Sequence, residues 1–489
     1  MLFNSIHYLI FFPVVVCLYF LLPHRWRWVL LLVASYYFYM CWRMEYIFLI
    51  LISTLVAYLT ALGMSRSKKK KTRRRYLVLS LLVNLGLLFG FKYFNFFNDN
   101  ARTFFDQFNI FYSVPSFRVL LPVGISFYTF QTLSYTIDVY RGETPVQKHL
   151  GYFAVYVSFF PQLVAGPIER SGRLLPQFFE KHGFSYSRIT SGLKLILWGF
   201  FKKILIADRL AVLVNSVYNE PSAYPGVPVL VATFFFTFQI YCDFSGYSDI
   251  AIGSARVMGF ELMENFRQPY FSRSISEFWK RWHISLSTWF RDYLYVPLGG
   301  NRVARPRWYY NLMATFLVSG LWHGANWTFL CWGGLHGLFL VAENVLKPAG
   351  QSFARVFRIN TGSIVFKGLA MAWTFFLVCM AWVLFRANSM HDVGILMNSL
   401  VSNPGQYLDV SAIGLSFRGM GLKSADLIQS FVFIGILLIY DIIDTRYDFW
   451  KIVYARPIWI RWAVYYAIII LILFFSPYNK AQNFIYFQF

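Results

Sequence analysis

The residues best suited to chemistry are two histidines in unusual surroundings. His323 lies in Ser319-Gly320-Leu321-Trp322-His323-Gly324-Ala325-Asn326, inside Trp308 to Ala342, the longest run without Asp, Glu, Lys or Arg at 35 residues. A titratable ring at apolar depth is costly to hold unless it is paired or used, so it marks a functional position. An imidazole ordinarily titrates near pH 6.5, and apolar burial lowers that value and keeps the ring neutral. A neutral ring of this kind can take a proton from an acceptor hydroxyl. Gly320 and Gly324 remove side chains one helical turn apart, which allows a second helix or a thin substrate chain to come close to His323. The competing reading is a histidine satisfied within helix packing. That reading is preferred for His336, in Gly333-Gly334-Leu335-His336-Gly337, because thirteen helical residues rotate it about 220° from His323.

The second histidine, His283, lies in SISEFWKRWHISLSTWFRDYLY, which runs from Ser274 to Tyr295. Ser274 with Glu277 three residues on forms a capping box and predicts a helix start. On one continuous helix Trp279, His283, Leu286 and Phe290 share a face, and Glu277 pairs with Arg281 across one turn. That face either lines a pocket near His323 or anchors an interfacial helix.

Other chemistries lack support. There is no G-x-S-x-G elbow, no H-E-x-x-H helix and no P-loop. The five cysteines are widely spaced with no C-x-x-C pair, which argues against a disulfide framework or a zinc site. No metal is expected. Asp243, Asp249 and Glu169 stand at the ends of apolar stretches, as structural ion-paired groups or as the relay of a transporter.

The elements that must position these residues are membrane helices. The chain is 57% hydrophobic and 14% charged, too little polar surface for a soluble protein of this length. About 280 apolar residues, at roughly 20 per crossing, set a ceiling of about 14 spans. The net charge of +23 would suggest nucleic acid in a soluble chain. Here it follows instead from Lys and Arg collected in cytoplasmic loops that face anionic membrane lipids, and no nucleic-acid partner is expected.

Uncharged runs at 1–24, 28–42 and 46–65 predict three spans, and eight of the ten residues from Arg66 to Arg75 are basic. That block is expected on the cytoplasmic side, which places the N-terminus outside. The N-terminal run has no basic leader region and reads as a retained span. A fourth span is expected from Tyr76 to about Phe97, followed by a polar outer segment from Asn98 to Arg118. Runs 119–137 and 149–168 contain Pro122, Gly124, Pro161, Gly166 and Pro167 and predict broken or re-entrant helices. A helix from Ile189 is interrupted by Lys202 and Lys203, and Pro221 to Cys242 is a further span. Arg256 to Arg307, with nine basic and four acidic residues among many aromatics, predicts interfacial cytoplasmic helices. Three more spans are expected at 368–385, 427–440 and 462–476.

The motifs EFWKRWHISLSTWFRDYLYVPLGG and SGLWHGANW, with histidines 40 residues apart, occur together with VGISFYTFQTLSYTIDVYRG, FFPQLVAGPIER and DFSGYSDIAIG. Together they resemble the membrane-bound O-acyltransferase (MBOAT) family, and more narrowly its bacterial alginate and peptidoglycan O-acetylation branch. The resemblance covers essentially the whole chain.

It implies an all-α polytopic membrane protein with about 10–13 transmembrane or re-entrant helices around a central funnel or tunnel. A single integral-membrane domain is expected over 1–489, with N-terminal helices over 1–97, a catalytic core over 118–346 and C-terminal helices over 366–489. His323 corresponds to the catalytic histidine of the W-H-G motif and His283 to the second essential one. Trp322, Gly324, Asn326, Trp282, Arg281, Glu277 and Asp243 are expected to support them or line the tunnel. The resemblance implies an acyl thioester donor, most simply acetyl-CoA, with Lys280, Arg281 and Arg291 suited to its phosphates. No tightly bound cofactor is expected.

The acyl group would leave on the extracytoplasmic side of a bacterial inner membrane. A separate periplasmic or cell-surface transferase with a serine-type site would pass it to a polysaccharide, because short outer loops offer little to grip a glycan. Two alternatives stay open: D-alanyl transfer from a carrier-protein phosphopantetheine to teichoic acid, and a transporter or flippase of an acyl or glycan intermediate.

Overall fold

The computed structural model describes residues 1–117, 120–164, 166–402, 417, 424–477 and 484–485. The regular elements among them are all helical. A chain in lipid must satisfy its backbone N–H and C=O groups internally, and a helix does this within one segment. Among the described residues seven helices are long and apolar enough to cross a membrane: Met44–Arg66, Lys70–Gln107, Val227–Met258, Trp327–Val356, Ile364–Arg386, Ser424–Tyr447 and Ile458–Phe475. The chain is an all-helical polytopic membrane protein.

The described chain forms two compact units, one of Met1–Ile196 with Tyr247–Glu264, the other of Leu197–Gly246 with Asn265–Phe489. In the first, the three N-terminal runs become helices Ile6–Leu21, His24–Met40 and Ile47–Arg66. Most of the basic block is helical, because Lys70 already opens the next helix. Arg73 does more than mark a side of the membrane: its guanidinium donates to the carbonyls of Val139 and Tyr140. These end the helix Ile125–Arg141, where backbone acceptors lack intrahelical donors. The polar segment expected from Asn98 is instead helical as far as Gln107. The broken segments appear as expected. Gly124 sits at φ +77°, and a Cβ there would lie 2.7 Å from the Leu163 carbonyl oxygen, so only glycine lets the two breaks meet. Nearby, Glu169 is fully buried and accepts from the Met263 N–H, while burial pushes its carboxyl up to about 7.

Two expectations are corrected in the second unit. The long uncharged run is not one helix. It folds into a hairpin, Arg305–His323 and Trp327–Val356, broken at Gly324 to Asn326. Gly324 caps the end of the first helix and Asn326 the start of the other, its Oδ1 accepting from the Thr328 N–H at 3.1 Å. Its Nδ2 donates to the Asn388 carbonyl, just beyond the helix Ile364–Arg386. The arms close on Gly320 and Gly333, where a Cβ on Gly320 would stand 3.2 Å from the Gly333 Cα and run into the Phe329 carbonyl. The room beside Gly320 and Gly324 is therefore taken by the second helix and by the Phe329 ring, not by a substrate chain.

The second correction concerns Asp243. The expected span Pro221 to Cys242 is a helix running from Val227 to Met258, so Asp243 lies inside it and not at its end. The helix carries this charge because Lys203, from the π-helical segment Phe201–Ala207, places its ammonium 2.7 Å from both Asp243 and Asp208. All three are buried. Burial pushes the Asp208 carboxyl up, against the pull of Lys203, and the second carboxylate adds to the rise. One buried ammonium thus serves two buried carboxylates.

Lys203→Met should leave two buried carboxylates without a cation and cost about 3–5 kcal/mol. Thermal unfolding in detergent should show the loss, and adding Asp208→Asn and Asp243→Asn should recover most of it.

Candidate active site

The histidine tract departs from the single amphipathic helix that its pattern suggests. Ser274 caps a helix as expected, its Oγ accepting from the Glu277 N–H at 3.1 Å, and Arg281 pairs with Glu277 at 2.7 Å. That helix, Ile275–Arg281, then stops. Trp282 is extended, His283 takes a left-handed conformation with φ +42°, and a second helix runs over Ile284–Phe290. His283 thus sits at a break and shares no helical face with Trp279.

The cause is a clamp from an adjacent segment. The Arg267 N–H donates to the Arg281 carbonyl and the Ile284 N–H to the Asn265 carbonyl, both at 2.9 Å. Left-handed backbone in a residue with a Cβ costs on the order of 1–3 kcal/mol, held only where the surroundings over-determine it. Here a backbone hydrogen bond lies on each side of the strained residue.

His283 is fully buried, edge-on to Phe244 at 4.5 Å and 6.2 Å from Trp322. Its Nδ1 lies 3.1 Å from Asn265 Oδ1. Burial pushes the imidazole down to about 3. His323, the last residue of its helix, is 2% exposed and meets Trp322 and Trp332 edge-on, each at 4.9 Å, and Phe385 at 5.5 Å. The two histidines therefore converge on the Trp322 ring. Gly324 and Asn326 form the corner that ends the His323 helix. Trp282 is buried against Trp382 at 5.0 Å and Phe266 at 5.0 Å.

Not every expected residue comes to this place. The Asp243 carboxyl is committed to Lys203 and to the Ile485 N–H at 2.7 Å, and only its neighbour Phe244 reaches His283. Arg281 is taken up by Glu277. His336, placed on the far side of a continuous helix, comes back through the hairpin turn: its ring packs 5.0 Å from Trp332, whose ring also meets His323. Trp279 Nε1 donates to His336 Nδ1 at 3.3 Å. Sequence reasoning missed Asn265, Trp332 and Phe385. Asn265 stands 18 residues before His283 in a segment without periodicity, and no spacing rule singles it out.

A cavity of about 620 Å³ lies between the histidine tract and the hairpin, and its lining includes neither His283 nor His323. Its walls include Lys280, Arg291, Ser287 and Thr288 from the tract and Thr315 and Ser319 from the hairpin, and Ser319 lies one turn before His323. Basic groups and a hydroxyl-lined apolar wall thus share one space in the size range of small-molecule sites.

Residues 144–366 match the membrane-bound O-acyltransferase family. The chain is 42% identical over 400 residues to a probable alginate O-acetylase AlgI of Pseudomonas putida, covering 82% of this chain and 80% of that one. It is 40% identical over 445 residues to the protein of the same name from Pseudomonas syringae, covering 91% and 82%. The chain belongs to the membrane-bound O-acyltransferase family. A peptidoglycan O-acetyltransferase of Helicobacter pylori is 34% identical over 411 residues, 79% of this chain and 75% of that one, so the branch is that of the alginate and peptidoglycan O-acetylation proteins. As a member the chain is a multi-pass membrane acyltransferase, and the matched region holds both converging histidines.

His283 also makes the fold sensitive to pH. Its folded pKa lies below the ordinary 6.5, so the stability gained by keeping the ring neutral is fully present above about pH 6.5 and is lost as pH falls toward 3. The unfolding stability of the wild type relative to His283→Asn should be flat above that point and decline by up to about 1.4 kcal/mol per pH unit below it, as read from thermal unfolding in detergent across about pH 4 to 8.

Proposed function

We propose that this protein takes an acetyl group from acetyl-CoA and moves it across a bacterial inner membrane for O-acetylation of an extracytoplasmic polysaccharide. The observation that carries this reading is the pair of buried histidines meeting at Trp322, on the same tract and hairpin that wall a cavity with Lys280 and Arg291. The cavity suits the thin thioester arm of the donor, and the two cations suit its phosphates. Arg281, bound to Glu277, does not line the cavity, whereas Arg291 lines it while paired with Asp292 at 2.8 Å. The basic block around Arg66 to Arg75 lies on the cytoplasmic side in this reading, with the N-terminus outside.

In the transfer step, His323 accepts the proton of an acceptor hydroxyl as its oxygen attacks the thioester carbonyl. The carbon–sulfur bond then breaks, and the thiolate leaves with a proton. His283 orients His323 or stabilises the charge that develops. General-base help of this kind contributes roughly 100- to 10,000-fold, and confinement of the two reactants adds to it. The glycan relatives, by their names an alginate O-acetylase and a peptidoglycan O-acetyltransferase, support a polysaccharide hydroxyl as the final acceptor. A separate extracytoplasmic transferase delivers the group to it.

Proteoliposomes loaded with labelled acetyl-CoA and supplied with the partner transferase and glycan should form acetyl esters. His323→Ala and His283→Ala should each lower the rate by roughly 100- to 10,000-fold. Lys280→Ala with Arg291→Ala should raise the donor KM with little change in kcat. Efficient ester formation on polysaccharide by the purified chain alone would refute the partner, and undiminished transfer by His323→Ala would refute the assignment of the base.

A further inference from the structure

The Asn265 amide oxygen collects three contacts. It accepts from the Ser285 N–H at 3.2 Å and from the Ser285 hydroxyl at 2.9 Å, and it faces His283 Nδ1 at 3.1 Å. The backbone donor settles which amide atom this is, because an N–H donor requires an oxygen opposite it. An amide oxygen has no proton to give, so the His283 contact forms only if Nδ1 carries the hydrogen. A neutral imidazole has one hydrogen, and its lone pair then stands on Nε2.

We propose that Asn265 is a positioning residue that holds His283 in the Nδ1–H tautomer, so that His283 presents a proton-accepting Nε2 to the reaction. This deepens the acyl-transfer reading and rests on it for its catalytic consequence. Of the two roles open to His283, this tautomer favours orienting His323 over stabilising the developing charge as a neutral donor. A neutral ring with its lone pair on Nε2 cannot donate to a developing oxyanion from that atom; it accepts a proton first, and stabilises negative charge only as the imidazolium.

Geometry supports the assignment beyond one contact. The carbonyl of Asn265 also accepts from Ile284 N–H, so one residue grips the backbone after His283 and the ring of His283 itself. The strained φ of +42° at His283 is what allows both grips at once. Besides Asn265, the rings of Phe244, Phe266 and Trp322 face the imidazole. Within two residues of His283, Asn265 and these rings stand the titratable or charged Cys242, Asp243, Glu264, Arg267, Arg281 and His323. Asp243 is paired with Lys203, and Arg281 with Glu277. An uncharged amide beside the ring keeps it neutral, whereas a carboxylate at the same place would favour the charged form.

The test uses the full-length protein in detergent with isotope-labelled histidine, the His283 signals being assigned by their loss in His283→Asn. Nitrogen-15 spectra should show the Nδ1–H tautomer in the wild type. Asn265→Asp accepts the same three donors, so it should keep that tautomer and the fold while moving the His283 titration, and the acid limb of kcat, to higher pH. Asn265→Ala should lose the tautomer preference and lower kcat at least tenfold, with the donor KM within about twofold. Ser285→Ala, which removes one donor to the same oxygen without touching the imidazole, should keep the tautomer. A wild-type His283 protonated on Nε2 would overturn the proposal, as would an Asn265→Ala protein that keeps the Nδ1–H signal, or an Asn265→Asp protein with an unshifted acid limb. Failure of the wild type to transfer acetyl groups would count against the acyl-transfer reading alone, because the tautomer is read without turnover.

Discussion

The site depends on the contact of two glycines. Gly320 and Gly333 face each other across the hairpin at a distance no side chain would permit. Because the arms touch there, the turn at Gly324 to Asn326 can be short, and the last residue of the first arm, His323, is held against Trp332 of the second. Small residues at helix interfaces are the common way for membrane helices to gain packing energy, since lipid offers no hydrophobic drive for helix association. Here the same contact sets the position of a titratable ring. Phe329, whose carbonyl lies over Gly320 and whose ring fills the space at Gly324, and Phe385, which meets both His323 and Phe329, complete the wall.

A second constraint runs through the unit: charges and polar rings in a low-dielectric interior must be compensated on the spot. Asp243 would be prohibitive inside a long apolar helix without Lys203, and Asp208 answers the remaining demand of that ammonium. The histidines are compensated differently. His283 gives up its charge through burial and satisfies Nδ1 on an amide oxygen. His336 receives the Trp279 indole N–H. Ion pairing thus serves the scaffold, and neutral hydrogen bonding serves the His283 and His336 rings.

Much of this was legible in the sequence because composition and periodicity report local physics. Uncharged runs marked the first three helices, Ile364–Arg386 and Ile458–Phe475 to within a few residues, whereas Lys70–Gln107 and Ser424–Tyr447 run well past the expected ends. The capping box at Ser274 and the Glu277 to Arg281 pair are short-range effects, and both formed as read. The failures share one cause. The helix through His283 and the helix through Trp308 to Ala342 were continued where tertiary contacts interrupt them. Asn265 grips the first from 18 residues away in sequence, and the second doubles back at Gly324 to Asn326, where Gly320 and Gly333 let its arms touch. Asp243 was placed at a helix end because its partner, Lys203, is 40 residues distant and no pattern links them.

The two interruptions explain why the site is built from separate elements. One continuous helix would have fixed His323 and His336 about 220° apart, and another would have placed His283 among surface-anchoring aromatics. Breaking each helix at or beside its histidine frees the ring from helical geometry and lets a distant segment fix its position: Trp332 from the second hairpin arm for His323, Asn265 for His283. A base poised by local helix geometry alone would tolerate rotation about its side-chain bonds. A ring held as His283 is, by a strained backbone and a contact to Asn265, does not, and such rigidity suits transfer between confined reactants, since misplacement by about an ångström forfeits most of the gain from proximity.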